Sequence, residues 1–409
     1  MNRKNIFLFL LVIFSLKFFD AGIANAGILK NICYGYMAIA IIISIPCFLK
    51  NSGGFVFPVQ LISIAIVISI FMARYTWGQG LEYFPTTIPY MMWFVFFYLL
   101  ESNIPVKTIE KIVLIYGVIY IVLFLFQFTH TGVVYFGMAG EFKEDRGIIR
   151  VNFPGGGVFF LSCFLAINRV TSYGNKYKYL WLFYALIGIV IVVLQVTRQE
   201  IVVMLLVYLM HFLRNVKLPY KIAVILLFVG TGYAFLNANN PISKGLAEQQ
   251  KEDASAGKDY IRVLETEYFL TQFTPNTPSR IFGNGFFNDT SKYGKALINL
   301  LDSYGYYLSD VGIVELYIVF GIFAIVAYIM IFIKSITIPL PPEYFYLKYY
   351  LWMIMVTCLT SDFLISYYFL ITTVLVLYCY QRIYENKKLS EMIVLDSLVN
   401  YNNKIVEHL

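Results

Sequence analysis

The chain has 409 residues, of which 59% are apolar and 13% charged. A soluble domain carries about 25% charged residues, so lipid is the expected solvent for much of this one. The net charge of +7 comes without a cluster of Lys and Arg beside stacking aromatics, which excludes a nucleic-acid surface. The five cysteines (Cys33, Cys47, Cys163, Cys358 and Cys379) fall in or beside apolar runs without metal-ligand spacing, and imply no disulfide framework or metal centre.

A spanning helix needs about 20 mostly apolar residues. The first run, 5–22, follows Arg3 and Lys4. Ala24-Asn25-Ala26 resembles a signal-peptide cleavage site, but an uncleaved first helix is the preferred reading; either places residue 27 outside. Further spans are expected at 31–49, 55–73, 85–100, 111–129, 153–168, 179–197, 199–213, 219–236, 311–333, 346–361 and 363–381. The run 179–213 is too long for one crossing and is read as a hairpin turning at Thr197-Arg198-Gln199-Glu200. The last pair turns at Ser361-Asp362. Many of the 34 tyrosines sit at the ends of these runs, as an aromatic belt requires.

The expected fold is therefore all-α: a polytopic membrane protein with about twelve transmembrane helices and a large periplasmic loop containing short helices. Residues 1–236 carry the first nine spans, 237–310 form the loop, 311–381 carry the last three and 382–409 form a cytoplasmic tail. Outside the long loop, Lys and Arg fall mostly on segments that share a side with the N-terminus. The positive-inside rule thus puts both termini in the cytoplasm and the loop outside. Within the loop, 259–272 reads as a short amphipathic helix with Ile261, Leu264, Tyr268 and Phe269 on one side. Pro275, Pro278 and Gly283-Asn284-Gly285 are turn signals, and a second helix is expected from Lys295 to Tyr307. No internal repeat or low-complexity tract is visible.

Ionisable residues near or within a membrane are costly and mark candidate sites. Arg198, at the outer end of the hairpin, offers a fork of donors suited to phosphate or diphosphate; the competing reading is a snorkelling arginine or a pair with Glu200. Arg146 and Arg150 precede Asn152-Phe153-Pro154-Gly155-Gly156-Gly157, a glycine-rich helix start whose N–H groups suit an anion. The same residues read equally as a solvated loop feeding a helix. Arg280 precedes Ile281-Phe282-Gly283-Asn284-Gly285, a turn that holds it over the membrane site or is an ordinary loop turn. Asp310 is expected first as a helix cap and second as a general base. Glu315, one turn further in, must face protein or water. His130, at an outer helix end, is a possible base, although a lone interfacial histidine is more often structural; Asp302 is a further candidate. Without G-x-x-x-x-G-K-[ST] or G-x-S-x-G, no nucleotide or other cofactor is expected.

Four features together resemble the bacterial O-antigen polymerases of the Wzy type, within the O-antigen ligase and polymerase superfamily. These are the span pattern with a late outer loop, the pair Thr197-Arg198, the sequence Ile281-Phe282-Gly283-Asn284-Gly285, and Ser309-Asp310-Val311-Gly312-Ile313-Val314-Glu315 leading to Phe320-Gly321-Ile322. The resemblance implies a metal- and nucleotide-independent glycosyltransferase of the bacterial inner membrane. Such an enzyme joins undecaprenyl-diphosphate-linked oligosaccharide repeat units into O-antigen or capsular polysaccharide, with chain-length regulator and flippase proteins as partners. It implies diphosphate binding by Arg198 first, then Arg150, Arg280 and Arg146, and a base among Asp302, Asp310 and His130. The ligase branch carries a histidine near the position of Asp302 to Tyr307, and this chain has none there. The alternatives are a ligase-like transferase, a lipid-linked oligosaccharide flippase, for which internal symmetry and broken helices are expected, and a membrane scaffold.

Overall fold

The computed structural model describes residues 3–15, 26–50, 53–136, 143–145, 148–151, 153–214, 216–223, 225–226, 230, 257 and 260–407. Helices α1 (Arg3–Ser15), α2 (Ala26–Phe48), α3 (Val56–Trp77), α4 (Val95–Ser102) and α5 (Val106–Thr129) come first, with a 3-10 turn at Ile88–Phe94 before α4. A small antiparallel hairpin, β1 (Lys143–Asp145) and β2 (Ile148–Arg150), pairs Lys143 with Arg150. Next come α6 (Gly156–Val170), α7 (Lys178–Leu194) and α8 (Arg198–Leu213). The loop region supplies α9 (Ile261–Tyr268), α10 (Thr277–Phe282) and α11 (Lys292–Tyr304). The chain then forms α12 (Ile313–Thr337), α13 (Phe345–Thr357) and α14 (Tyr367–Glu407).

Four described helices are long and apolar enough to cross a membrane: Gly27–Phe48, Val56–Trp77, Val106–Thr129 and Ile313–Thr337. Ile88–Ser102, α6 and α7 are apolar but shorter. The expected spans 199–213, 346–361 and 363–381 fall on α8, α13 and α14; of the span 5–22, residues 5–15 lie in α1 and 16–22 lie outside the described residues. Most of 219–236, the cleavage-like Ala24-Asn25 and nearly all of 237–258 lie outside the described residues. The core of the bundle is apolar, and so is much of its outer surface. α5 exposes Ile115, Val118 and Val122, and α12 exposes Ile329, Ile333 and Ile336, while Glu110 and Gln127 are buried. Such an apolar outer surface is compatible with a bilayer.

Hydrogen bonds sort the helix ends onto two sides. On one side Lys4 Nζ donates to the Ser102 carbonyl (3.3 Å) and Tyr378 Oη to the Ile104 carbonyl (2.6 Å). There, buried Glu110 pairs with Arg169 and accepts from Tyr346 Oη (2.9 Å). α1 belongs to the same core, with Leu8 and Leu11 buried and its Phe9 carbonyl accepting from Tyr116 Oη (2.6 Å). The opposite side carries the loop region, the α7–α8 turn and the α13–α14 turn, where Gln199 Nε2 donates to the Thr357 carbonyl (3.0 Å).

The loop region is fastened to the bundle where α12 is broken. Gly321 has φ 75° and ψ −172°, so the helix is interrupted between Phe320 and Ile322. The carbonyls at the break accept from the loop: Asn284 N donates to Ile318 O (2.7 Å) and Gly285 N to Val319 O (2.9 Å). Asn284 Nδ2 also donates to Ile318 O (3.1 Å), and its Oδ1 accepts from Trp77 Nε1 (3.0 Å) at the end of α3. The Trp77 ring stacks on Tyr293 of α11 with centroids 4.9 Å apart, and Phe273 packs beside both.

Three sequence expectations change here. The expected apolar side of α9 divides: Tyr268 and, just beyond the helix, Phe269 pack on the core, whereas Ile261 and Leu264 are exposed and Glu265 is buried. Burial of Glu265 is possible because its carboxylate accepts from the Tyr307 N–H (3.2 Å). Pro278 does not make a turn but occupies the first turn of α10, capped by Asn276, whose side chain accepts from Ser279 N (2.9 Å). The second loop helix is displaced toward the N-terminus, because Ser291 caps it (2.9–3.0 Å bonds at its start) and Gly305 ends it.

The break depends on two glycines in contact. A Cβ on Gly321 would lie 2.4 Å from the Ile281 carbonyl oxygen, and one on Gly283 (φ 83°) 2.4 Å from that of Val319. Both conformations belong to a region that costs a side chain on the order of 1–3 kcal/mol before any clash. Gly321→Ala is therefore expected to lower the melting temperature of the detergent-solubilised protein or abolish its folding. Gly35→Ala, in α2 with open space around it, is expected to leave that temperature unchanged or raise it. Equal melting temperatures for the two variants would contradict the interlock.

Candidate functional site

A chemically varied cavity of about 400 Å3 lies on the loop side. Its floor is the start of α12 with Glu315, its roof is Phe286, Phe287 and α11 through Leu297, Ile298 and Leu301, and its walls are Tyr90 and the 362–368 turn. Asp289, Glu315 and Asp362 bring three carboxylates to it, and Tyr306, Tyr307, Tyr368, Ser309 and Ser366 bring hydroxyls. Among the described residues no Lys or Arg lines it. Glu315 is buried, its Oε2 has no hydrogen-bond partner, and the charges of Asp362 and Asp310 act on it. A buried carboxylate oxygen without a partner, on a residue that lines a cavity, asks for a donor.

The rim is held by α9. Glu265 accepts from the Tyr307 amide, and Arg262 pairs with Asp310 (3.8 Å) while donating weakly to the Thr360 carbonyl (3.5 Å). Asp310 does not cap the following helix. It sits in a 3-10 turn, Leu308–Val311, and the N-cap position is taken by Gly312, whose neighbour Ile313 donates its N–H to the Cys358 carbonyl (2.6 Å). A cap residue pressed this close to another backbone has no room for an Asp side chain.

A second cavity, about 30 Å3, lies at the start of α6. Val151, Phe153, Gly156, Gln195, Thr197, Glu200 and Tyr368 line it. It holds about one or two waters and no phosphate. The glycines there serve packing: a Cβ on Gly157 would lie 2.9 Å from the Phe369 Cα and the Tyr368 carbonyl. Tyr368 lines both cavities, so the α7–α8 turn and the large cavity adjoin through one side chain. That turn is strained. Val196, buried and β-branched, has φ 58°, a conformation rare outside glycine. It is pinned by Gln195 Nε2 donating to Tyr120 Oη (2.6 Å) and by Gln199.

The residues singled out in the sequence do not converge on one point. Arg198 opens α8 beside the strained turn, partly exposed, and lines neither cavity. Arg280 is exposed on α10 and lines neither. Arg150 has its backbone in β2, and Arg146 lies outside the described residues. Asp302 is exposed on α11, while its neighbour Leu301 faces the cavity. His130 caps the end of α5, exposed and stacked on Phe126, with Nδ1 within 3.0 Å of Thr129 Oγ1 and 2.9 Å of the Phe126 carbonyl. Asp310 borders the cavity next to the lining residue Ser309. The sequence reading passed over Asp289, Asp362 and the lining tyrosines. Only Glu315 carried a signal, as a carboxylate inside an apolar run. No family model matches the chain, and no curated protein matches it.

Burial raises the Glu265 carboxyl to about 7, helped by Asp310 and opposed by the Tyr307 N–H and Arg262. The protonated form is thus favoured when α9 is docked. That preference supports docking fully below the ordinary glutamate range and is lost as pH rises to about 7. Hydrogen exchange of residues 260–273, corrected for intrinsic rates, should therefore quicken between pH 4.5 and 7. Glu265→Gln should flatten the profile; an unchanged profile in that variant would remove Glu265 as the cause.

Proposed function

We propose that this chain is a membrane glycosyltransferase that polymerises lipid-diphosphate-linked oligosaccharide repeat units, with twelve crossings, both termini in the cytoplasm and the loop side facing outward. The observation that carries the proposal is the loop-side cavity: aromatic faces and hydroxyls surrounding a buried, unpartnered Glu315 oxygen, with no cation on the wall. Such a lining suits the hydroxyls and apolar faces of a sugar and is ill-suited to a diphosphate. We assign it to the acceptor sugar.

In the reaction, an acceptor hydroxyl oxygen bonds to the anomeric carbon of the donor chain. The bond from that carbon to the diphosphate breaks, and the diphosphate departs with the electron pair. The acceptor proton passes to a carboxylate. Glu315, with Asp362 beside it, takes the proton in this proposal, because both line the cavity and the earlier candidates Asp302, Asp310 and His130 do not. Arg198 meets the diphosphate at the adjoining turn, where charge develops as the bond breaks. The strained Val196 supports a role for that turn, since such strain clusters at functional sites. The break in α12 lends no weight to a flippase, because loop amides fill it.

The test is the surface polysaccharide of cells carrying chromosomal variants, resolved by gel. Glu315→Gln and Arg198→Ala should each leave single repeat units on their anchor, and Asp302→Asn should leave the ladder intact. Wild-type ladders from both of the first two variants would overturn the reading. Complete loss of surface sugar would point to a flippase or ligase instead.

A further inference from the structure

The side of the bundle away from the loop has its own cavity, of about 430 Å3, and its chemistry is the reverse of the first. Arg214 follows α8, Lys221 lies in the helical residues 218–223, and Lys348 comes from α13; all three line it, and no Asp or Glu does. Phe345, Tyr349 and Trp352 supply one wall, and the remaining lining residues are aliphatic. Arg214 lies over the Phe345 ring with its guanidinium carbon 4.1 Å from the centroid and is held beside Tyr349, and a guanidinium offers more N–H donors than one tyrosine oxygen takes up. Trp352 Nε1 is buried and has no hydrogen-bond partner. Lys348 Nζ has only a long contact to the Ile336 carbonyl (3.4 Å). Tyr349 is already committed, its Oη 3.0 Å from His211 Nδ1.

Three cations with no Asp or Glu among the described lining residues, set against an apolar and aromatic wall, together describe a ligand with an anionic head and a hydrocarbon body. We propose that this cavity binds an anionic phospholipid, its phosphate between Arg214, Lys221 and Lys348 and its acyl chains along the aliphatic wall. A lipid is favoured over a soluble phosphate ester because most of the lining is apolar and the surrounding helix surfaces, such as Met210 and Phe212, are exposed and apolar. Basic pockets between membrane helices select anionic headgroups by this combination. The proposal is independent of the glycosyltransferase reading.

The full-length protein in neutral detergent is titrated with dioleoylphosphatidylglycerol and, separately, with dioleoylphosphatidylcholine, and the rise in melting temperature is followed. Phosphatidylglycerol should give a saturable rise and phosphatidylcholine none. Replacing the three cations by Gln should weaken phosphatidylglycerol binding about fivefold for each charge removed, about a hundredfold for all three, with the lipid-free melting temperature kept. Should the triple variant fail to fold, a second measurement uses the wild-type cations. Phosphatidylglycerol brominated on its acyl chains should quench a share of the tryptophan emission that Trp352→Phe removes. Equal stabilisation by phosphatidylcholine, triple-variant binding within twofold of wild type, or quenching unchanged by Trp352→Phe would each overturn the proposal. The same rise from millimolar sodium phosphate alone would assign the cavity to free phosphate and overturn the lipid.

Discussion

A broken helix in an apolar surround has carbonyls that must find donors, and in this chain those donors come from the loop. The interruption at Gly321 frees the carbonyls of Ile318 and Val319 from the ordinary helical pattern. Hydrocarbon offers no replacement, and an unmet backbone group there costs several kcal/mol. The N–H groups of Asn284 and Gly285 supply the replacement. Because the two backbones must nearly touch, positions 283 and 321 admit only glycine. The rest of the loop side follows from this contact. Asn284 aligns Trp77, Trp77 seats Tyr293, and Tyr293 orients α11, whose apolar face roofs the cavity above Glu315. The loop is thus part of the bundle's packing and not a separate cover laid over it.

Magnitudes distinguish what fastens the rim from what only decorates it. The Arg262–Asp310 pair is 3.8 Å long with both side chains more than a third exposed, and such pairs contribute about 0–1 kcal/mol. Burial of Phe269 and Phe273 against the aromatic cluster contributes on the order of 1.5–3 kcal/mol for each ring. α9 therefore stays in place through the two phenylalanines that follow it. The role left to its polar residues is orientation: Glu265 aligns the Tyr307 backbone, and Arg262 pairs with Asp310.

The positions of the helices were legible in the sequence because long apolar runs set them directly, and the polar tetrad after Val196 marked the α7–α8 hairpin, although α7 stops three residues short of the expected end and Arg198, Gln199 and Glu200 already belong to α8. The facing of the helices was not legible. In a soluble helix the apolar stripe names the packed side, but lipid accepts the apolar stripe as readily as the core does, so α9 came out with Glu265 inward and Ile261 outward. The motif around Gly283 and Gly321 was visible as two glycine-containing strings about forty residues apart. That they touch was not, since a close backbone approach leaves no mark in either string beyond the glycine itself. Asp310 misled for a related reason: its spacing before an apolar run is that of a cap, and only the crowding of Gly312 against Cys358 shows that the cap position has no space for a side chain.

The two ends of the molecule are chemically opposed, and this constrains how a lipid-linked substrate can be handled. The loop-side cavity has three carboxylates and no cation on its wall, whereas the far cavity has three cations and no carboxylate. At an effective dielectric of about 20, two unit charges 4 Å apart interact by about 4 kcal/mol, so a diphosphate would be repelled from the first cavity and held by the second. A polymerising enzyme on the loop side must therefore separate its substrates: the sugar of the acceptor inside the cavity, the diphosphate of the donor outside it. The adjoining α7–α8 turn is where the two would meet. Tyr368 lines both the cavity and the small pocket at that turn, and Arg198 sits at the head of α8, so under the proposed reaction the transfer would take place between them.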